Sequence, residues 1–472
     1  MSVEKLDFNT LIQDDKIFYT NMHIDIQANN IAWFGNIIFS NHFHLTNQGI
    51  HFGANSKITT LASDDINRQE FRFNFHLQVT SYTVNALQFN DCVFNKEPIV
   101  KNEAIESISF YDCIFDCDVY NLLKKYSKTI LTIKFVNCTF SRVMMNSTSN
   151  DNALNSFTIN AGSIQQLEIH NKTLTNEFYI NKQYNKNENI TIINELIIRN
   201  TIFQENFKLH NCQINKIYIE DVNFEKHADF YKSNFKQGFE YNKIDDTEKD
   251  DLNIYFKAIN FKGLAIFGDC TFQEKLIFKW VTFESFSHFR RTKFYKGLDL
   301  DYTNIQEEMN FFAVERLDSK ASKNNTSQET YRIIKHNFEK IENKIEANKY
   351  HALELEKRKV DKETPLSEKL VLQLHCFTSR NGTNWWIPLL LIFFVGIITM
   401  IGLNFGNPFS YYPQTLTTSI EESFFETFKH IYILYKYKEL WDLHPFLLAF
   451  NKFSLGYLYY QFLIAVRKDT RK

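Results

Sequence analysis

The sequence predicts a mainly β solenoid followed by an α-helical linker and two transmembrane helices. Three observations carry that prediction. Large apolar residues recur at gaps alternating between 6 and 5 over residues 261–311, a helical apolar stripe opens after residue 316, and residues 385–403 contain no charged side chain. At 472 residues the chain has room for two or three well-buried domains. Its 47 Phe and 23 Tyr, against 13 Gly and 6 Pro, assign burial to aromatic rings and leave few turns to the usual breakers.

The repeat is clearest in "FKGLAIFGDCTFQEKLIFKWVTFESFSHF", residues 261–289. Phe261, Phe267, Phe272, Phe278, Phe283, Phe289, Phe294, Leu300, Ile305 and Phe311 follow one another at gaps of 6 and 5 without a missed step. A helix would return its apolar residues near 3.6 and a strand at 2, and neither period fits a repeat of 11. Two near-equal halves suit a solenoid in which each half supplies one short strand and one corner, with the large residue in the core. The residue two before each large one should also face inward. Those positions hold Ala265, Cys270, Leu276, Val281, Ser287, Thr292, Leu298 and Thr303, mostly small or β-branched.

These residues resemble the pentapeptide-repeat family. The resemblance implies a right-handed, four-sided parallel β-helix filled by a central Phe or Leu and a small residue two before it. The chain departs from the family's strict fives and lacks its A-(D/N)-L-x-x wording, so four sides would make a coil of about 22 residues. The first half agrees. "LQFNDCVF" (87–94), "ISFYDCIF" (108–115) and "IKFVNCTF" (133–140) end 21 and 25 residues apart, and "FTINAGSI" (157–164) and "LIIRNTIF" (196–203) continue the pattern. The solenoid domain is therefore expected over residues 1–315, with polar insertions near 181–190 and at "DDTEKDD" (245–251). Its register makes Cys92, Cys113, Cys138, Cys212 and Cys270 small buried hydrophobes. No C-x-x-C occurs and the "HFH" at 42–44 offers too few ligands for zinc, so no metal site is expected.

A linker is expected over 316–383. "TSQE" at 326–329 reads as a capping box with Thr326 as N-cap and Glu329 reaching back. Tyr331, Ile334, Phe338, Ile341 and Ile345 then form a narrow stripe on one helix running to about Lys359, which would cap the last coil or, alternatively, join subunits as a short coiled coil. Thr364 and Pro365 open another helix with Leu366, Leu370, Val371, Leu374 and Phe377 along one side.

The membrane region is expected over 384–472. Residues 385–404 form the first crossing, long enough at 1.5 Å per residue for ~30 Å of hydrocarbon. A second crossing is expected at 445–466. Trp385 and Trp386 are read as anchors at one interface, Tyr411 and Tyr412 with Phe409 at the other, and Arg467 and Lys468 as cytoplasmic anchors. Basic residues before the first crossing and after the second place both ends in the cytoplasm, with 408–441 outside. "MSVEKLDFNTLIQDDK" has no apolar core of signal-peptide length, which also keeps the solenoid cytoplasmic. Asn451, Lys452 and Gln461 are polar groups inside the second crossing and so candidates for function, although Lys452 is expected to snorkel to the outer interface. The order of parts resembles bacterial pentapeptide-repeat proteins with a carboxy-terminal membrane hairpin, through "ETYRIIKHNFEKIENKIEANKYHALELEK" (329–357), "NPF" (407–409) and "GYLYYQFLIAVRKDTRK" (456–472).

No activity comes with that resemblance. A net charge of -2 gives no reason to expect nucleic acid, and a DNA-mimicking role would need a strongly acidic face. There is no Walker-type glycine loop, G-x-S-x-G or H-E-x-x-H, so the chain is read as non-enzymatic and without a cofactor. Repeat surfaces offer extended faces to partners. The expected role is a protein-binding scaffold or sensor at the inner face of the bacterial inner membrane, with membrane lipid and an unidentified protein as partners. The alternative is a homo-oligomeric two-helix pore or membrane-perturbing effector controlled by the solenoid, with the apolar "FFETFKHIYILY" (424–435) re-entrant; it lacks a T-V-G-Y-G filter.

Overall fold

Each coil of the chain lays its strands in parallel on those of the coil before. The computed structural model describes residues 107–120, 132–146, 156–181, 190–239, 252–405, 428–437 and 444–470, together with short strands between Met22 and Val100 and the single residues Glu97 and Leu122. These fall into two compact units, Met1–Thr326 and Ser327–Lys472.

The first unit is a parallel β-solenoid of about seven turns. Ile254 pairs with Leu276 and Leu276 with Leu298, a coil of 22 residues each time. Ala265, Ser287 and Met309 keep the same interval on the next face. Where insertions fall the coil lengthens without losing register: Phe224 pairs with Phe261 across the stretch that holds the acidic insertion. At the other end Met22–Gln27 pairs antiparallel with Asn30–Gly35, which pairs in parallel with Ala86–Asn90.

Inside, equivalent residues of successive coils stack at the spacing between paired strands, ~4.8 Å. Phe203, Phe224, Phe261 and Phe283 form one column with ring centroids 5.1 Å apart at each step. Phe230, Phe267, Phe289 and Phe311 form a second, at 4.9, 4.9 and 5.3 Å. Rings of neighbouring columns meet edge to face, as Phe267 meets Phe278 at 5.8 Å and 74°. The pleat thus imposes stacking along the axis, and ring quadrupoles are satisfied across it. Phe261, Phe267, Phe272, Phe278, Phe283, Phe289, Phe294, Leu300 and Phe311 are buried. Ile305 pairs with Phe283 in the last strand on its face, Leu298–Ile305, and remains partly exposed, because it ends its column.

The small inward positions solve a hydrogen-bonding problem. Thr292 Oγ1 donates to Phe267 O at 2.7 Å, Ser233 Oγ to Leu209 O at 2.6 Å and the Cys270 thiol to Phe230 O at 2.9 Å, each reaching the preceding coil. Buried hydroxyls there are paired instead of stranded. The residue just before this position turns the corner in the left-handed region: Asp112, Asn137, Asn211, Lys232, Asp269 and Arg291 have φ between 50° and 59°. Asn and Asp tolerate that conformation better than most residues. In four of these coils an Asx-Cys pair marks corner and core slot together: Asp112-Cys113, Asn137-Cys138, Asn211-Cys212 and Asp269-Cys270.

Helix α1, Lys320–Asn325, closes this unit; Ser322 Oγ donates to Phe294 O at 2.7 Å and Thr326 Oγ1 accepts Leu298 N at 3.2 Å. Thr326 therefore serves the solenoid, and the N-cap of the next helix is Ser327, whose Oγ accepts Thr330 N at 3.0 Å. The N-cap is thus displaced by one residue from the expected Thr326, and Glu329 accepts from Arg332 at 2.6 Å.

The second unit is helical. The single linker helix expected to Lys359 is two, α2 at Gln328–Lys340 and α3 at Lys344–Val360. Glu342 adopts φ 58° and Asn343 caps α3 by accepting Glu346 N at 3.2 Å. The pair folds on itself, with Phe338 stacked on Tyr350 at 5.6 Å, while Ile341 and Ile345 of the predicted stripe stay exposed. Helices α4 (Leu366–Ser379), α5 (Trp386–Phe405) and α6 (Pro445–Thr470) complete the unit.

Candidate functional site

Helix α5 is apolar from Trp386 to Leu403 and is the one helix among the described residues long and apolar enough to cross a membrane. Asn384 Oδ1 caps its start by accepting Trp386 N at 3.0 Å and Ile387 N at 3.3 Å. Helix α6, interrupted by Asn451, Lys452 and Gln461, is continuous but does not reach the same apolarity. The two run antiparallel: Trp385 lies 6.3 Å from Phe462, Thr399 bonds Asn451, and Leu403 packs with Leu448.

Between Phe428 and Tyr437 the chain folds back onto both helices. Ile431 is buried with Ile392 and Val395 of α5 and Leu455 and Leu458 of α6, at mid-helix in both. After one helical turn this segment is irregular, so its carbonyls need partners from elsewhere. Helix α6 supplies them. Asn451 Nδ2 donates to His430 O at 3.1 Å and to Thr399 Oγ1 at 2.8 Å. Lys452 Nζ donates to Ile433 O at 2.6 Å and Tyr435 O at 2.7 Å, with the Tyr437 ring 5.0 Å away. Lys452 thus reaches toward the carbonyls of the folded-back segment. His430 Nδ1 and Tyr437 OH, 3.0 Å apart, close the segment on itself.

Gln461 does a different job at the other end of α6. Its Oε1 accepts Ser379 Oγ at 3.0 Å, which orients its amide toward His375 Nε2 at 3.1 Å. An imidazole nitrogen that accepts from this amide belongs to a neutral ring. Burial first, and the nearby Lys468 cation second, hold the His375 pKa below its usual value, in keeping with that state. The three polar residues singled out from sequence are brought together with Thr399, His430, Ser379 and His375, which were not. Thr399 carried a readable signal, as the sole hydroxyl in an otherwise apolar Trp386–Leu403.

The anchors are placed unevenly. The rings of Trp385 and Trp386 stack at 4.1 Å, and Trp386 is exposed. Arg467 is exposed, and Lys468 Nζ lies 3.5 Å from Asn381 O. Phe409, Tyr411 and Tyr412 lie outside the described residues, as do the side chains of His42, His44 and Cys92. Among the described residues no group of three or more His, Cys, Asp or Glu is arranged to hold a metal.

The solenoid surface carries ladders of charge between coils. Lys226 meets Glu205 at 2.6 Å, Lys262 meets Glu225 at 2.8 Å, Lys296 meets Glu274 at 2.6 Å and Arg291 meets Asp269 at 2.6 Å. Trp280 and Tyr302 are exposed on the same solenoid. The fold and these surfaces define a repeat protein whose walls are paired with themselves. In the comparison with known families, pentapeptide repeats in nine copies match residues 256–304. No curated protein and no solved structure matches the chain.

Proposed function

We propose that this protein is a membrane-anchored β-solenoid, a protein-binding scaffold or sensor held at the cytoplasmic face of a bacterial inner membrane by the hairpin α5–α6. One observation carries the anchoring: the hairpin is inside out relative to a soluble protein. Asn451 and Gln461 are 0% exposed, whereas Phe446 is 90% and Phe453 81% exposed. Leu390, Phe394, Ile397 and Ile401 on α5 and Phe450, Tyr460 and Leu463 on α6 extend the outward apolar face. Water would penalise such a surface and hydrocarbon would not. The polar interior explains how α6 could accompany α5 across a bilayer despite its three polar residues, since each makes hydrogen bonds inside the helical unit. Asn451 bonds Thr399 and His430, Lys452 bonds Ile433 and Tyr435, and Gln461 bonds Ser379 and His375, which leaves Asn451 Oδ1 as the unpaired atom.

The repeat surface supplies the binding role by its form, an extended set of parallel walls with exposed Trp280 and Tyr302. A second reading, an oligomeric pore, is favoured by the folded-back segment Phe428–Tyr437, which has the layout of a re-entrant loop. Expression of the full chain, alkaline extraction of the membranes and conductance of the purified protein in planar bilayers separate the readings. Anchoring requires that the protein resist extraction. Discrete conductance steps would replace the scaffold by the pore, and release by alkali would sink both.

A further inference from the structure

Helix α4 carries a face that none of the described residues of its own unit covers. Leu366, Leu370, Val371, Leu374 and Phe377 lie along one side and are all exposed, Leu366 by 81% and Phe377 by 68%. They recur at helical spacing, whereas Glu368, His375 and Ser379 occupy the opposite side. We propose that α4 is an interfacial helix lying in the plane of the cytoplasmic leaflet, with this stripe among the upper acyl chains. The proposal rests on the membrane reading of the hairpin.

Four observations choose lipid as the occupant. The bonds from α4 to α6 come from its last turns: Thr378 Oγ1 to Tyr457 OH at 3.3 Å, Ser379 to Gln461, and His375 to Gln461. They fix the end of α4 beside the stretch of α6 that ends in Arg467 and Lys468. Arg380, Asn381 and Gly382 then turn the chain in three successive left-handed residues, φ 46°, 60° and 80°, into the stacked Trp385–Trp386 pair. The exposed stripe is separated from the apolar surface of α5 only by the polar turn 378–384. Its length decides the orientation, because 14 residues reach about 21 Å at 1.5 Å each, too short to cross ~30 Å of hydrocarbon. Lastly, Lys369 within α4 and Arg380 at its end supply cations suited to anionic headgroups, and Arg467 is exposed near the end of α6.

The test places single nitroxide labels at Leu370→Cys, Leu374→Cys and Phe377→Cys in the full chain with Cys117→Ser and Cys376→Ser. Labels at Phe453→Cys, outward at mid-helix on α6, and His336→Cys on α2 serve as references. The protein is reconstituted in vesicles of phosphatidylcholine and phosphatidylglycerol in equal parts, and collisions with oxygen and with a water-soluble nickel chelate are compared. The α4 labels should show an oxygen-to-nickel ratio several-fold above that at His336→Cys and below that at Phe453→Cys, the signature of a shallow position. If α4 is open to nickel while Phe453→Cys is not, the interfacial helix is refuted and the anchor stands. If Phe453→Cys is open as well, the anchor itself fails. Dipolar broadening at α4 that disappears on dilution with unlabelled protein would assign the stripe to a second copy and overturn the proposal.

Discussion

Phe272 sits between Phe235 at 4.8 Å and Phe294 at 5.5 Å, so a change there is felt in three coils at once. Phe272→Asp or Phe283→Asp would bury a charge with no partner, and each should destabilise the solenoid by roughly 4 kcal/mol or more. Glu274→Ala removes an ion pair whose lysine is half exposed and should cost at most about 1 kcal/mol. Chemical denaturation of the full chain followed by circular dichroism distinguishes them; Asp variants that unfold with the parent would put these rings outside the core. The thiols make a second test of the same register. Cys113, Cys138, Cys212 and Cys270 are buried, and burial raises the pKa of Cys138, Cys212 and Cys270 well above that of a free thiol. Cys117, half-buried, is pushed up to about 12 by desolvation first and by the carboxylates of Glu97, Asp118 and Asp116 after it. Native protein should therefore label slowly at all five and rapidly only once denatured. Fast native labelling of Cys270, read by mass spectrometry, would contradict its place in the coil.

At the scale of elements, what was legible followed from how strictly geometry constrains sequence. A coil of fixed length must return a large residue to the same slot, so the alternation of 6 and 5 through Phe261–Phe311 could be read directly. The corner residues were harder because Asn or Asp is preferred there but Lys232, Arg291 and Trp280 also adopt positive φ. The break between α2 and α3 was hidden by an apolar stripe that runs through it in helical register; its one signal, Asn343 followed three residues later by Glu346, resembles an ordinary surface pair. The folded-back segment Phe428–Tyr437 could be suspected from its apolarity, but its anchoring by Asn451 and Lys452 depends on contacts 17 to 21 residues away. The α2–α3 pair also makes a prediction of its own. Buried Glu354 receives Arg332 at 3.0 Å and Lys335 at 2.9 Å from α2. Desolvation alone would raise its pKa, and hydrogen bonds from His351, Lys335 and Arg332 overcome it, lowering the value from 4.5 to about 2. A carboxylate depressed in the fold contributes stability above its unfolded pKa and loses it as pH falls toward the folded one. Glu354→Gln should cost up to about 3 kcal/mol near neutrality, and its difference from the parent should shrink between pH 4.5 and about 2. Thermal melts across that range in one detergent measure it, and a difference independent of pH would assign Glu354 to packing alone.

For the whole molecule the decisive quantity is the number of times the chain crosses the bilayer. Helix α5 has the length and apolarity for one crossing, and α6 runs antiparallel along it with Asn451 bonded to Thr399 and Phe462 beside Trp385. Two antiparallel helices in contact along their length share one depth. If α5 spans, the end of α6 at Thr470 returns to the side from which α5 entered, and on the proposed reading Arg467 and Lys468 put that side in the cytoplasm. The prediction uses single cysteines at Ser410→Cys and Thr470→Cys, with Cys117 and Cys376 replaced, and a membrane-impermeant thiol reagent on intact spheroplasts. Ser410→Cys should label at once, and Thr470→Cys only after the membrane is opened. Labelling of both in sealed cells would mean that α6 does not return through the bilayer. The polar contacts of Asn451, Lys452 and Gln461 would then hold together a helical layer outside the membrane, and the re-entrant reading of Phe428–Tyr437 would fall with the second crossing.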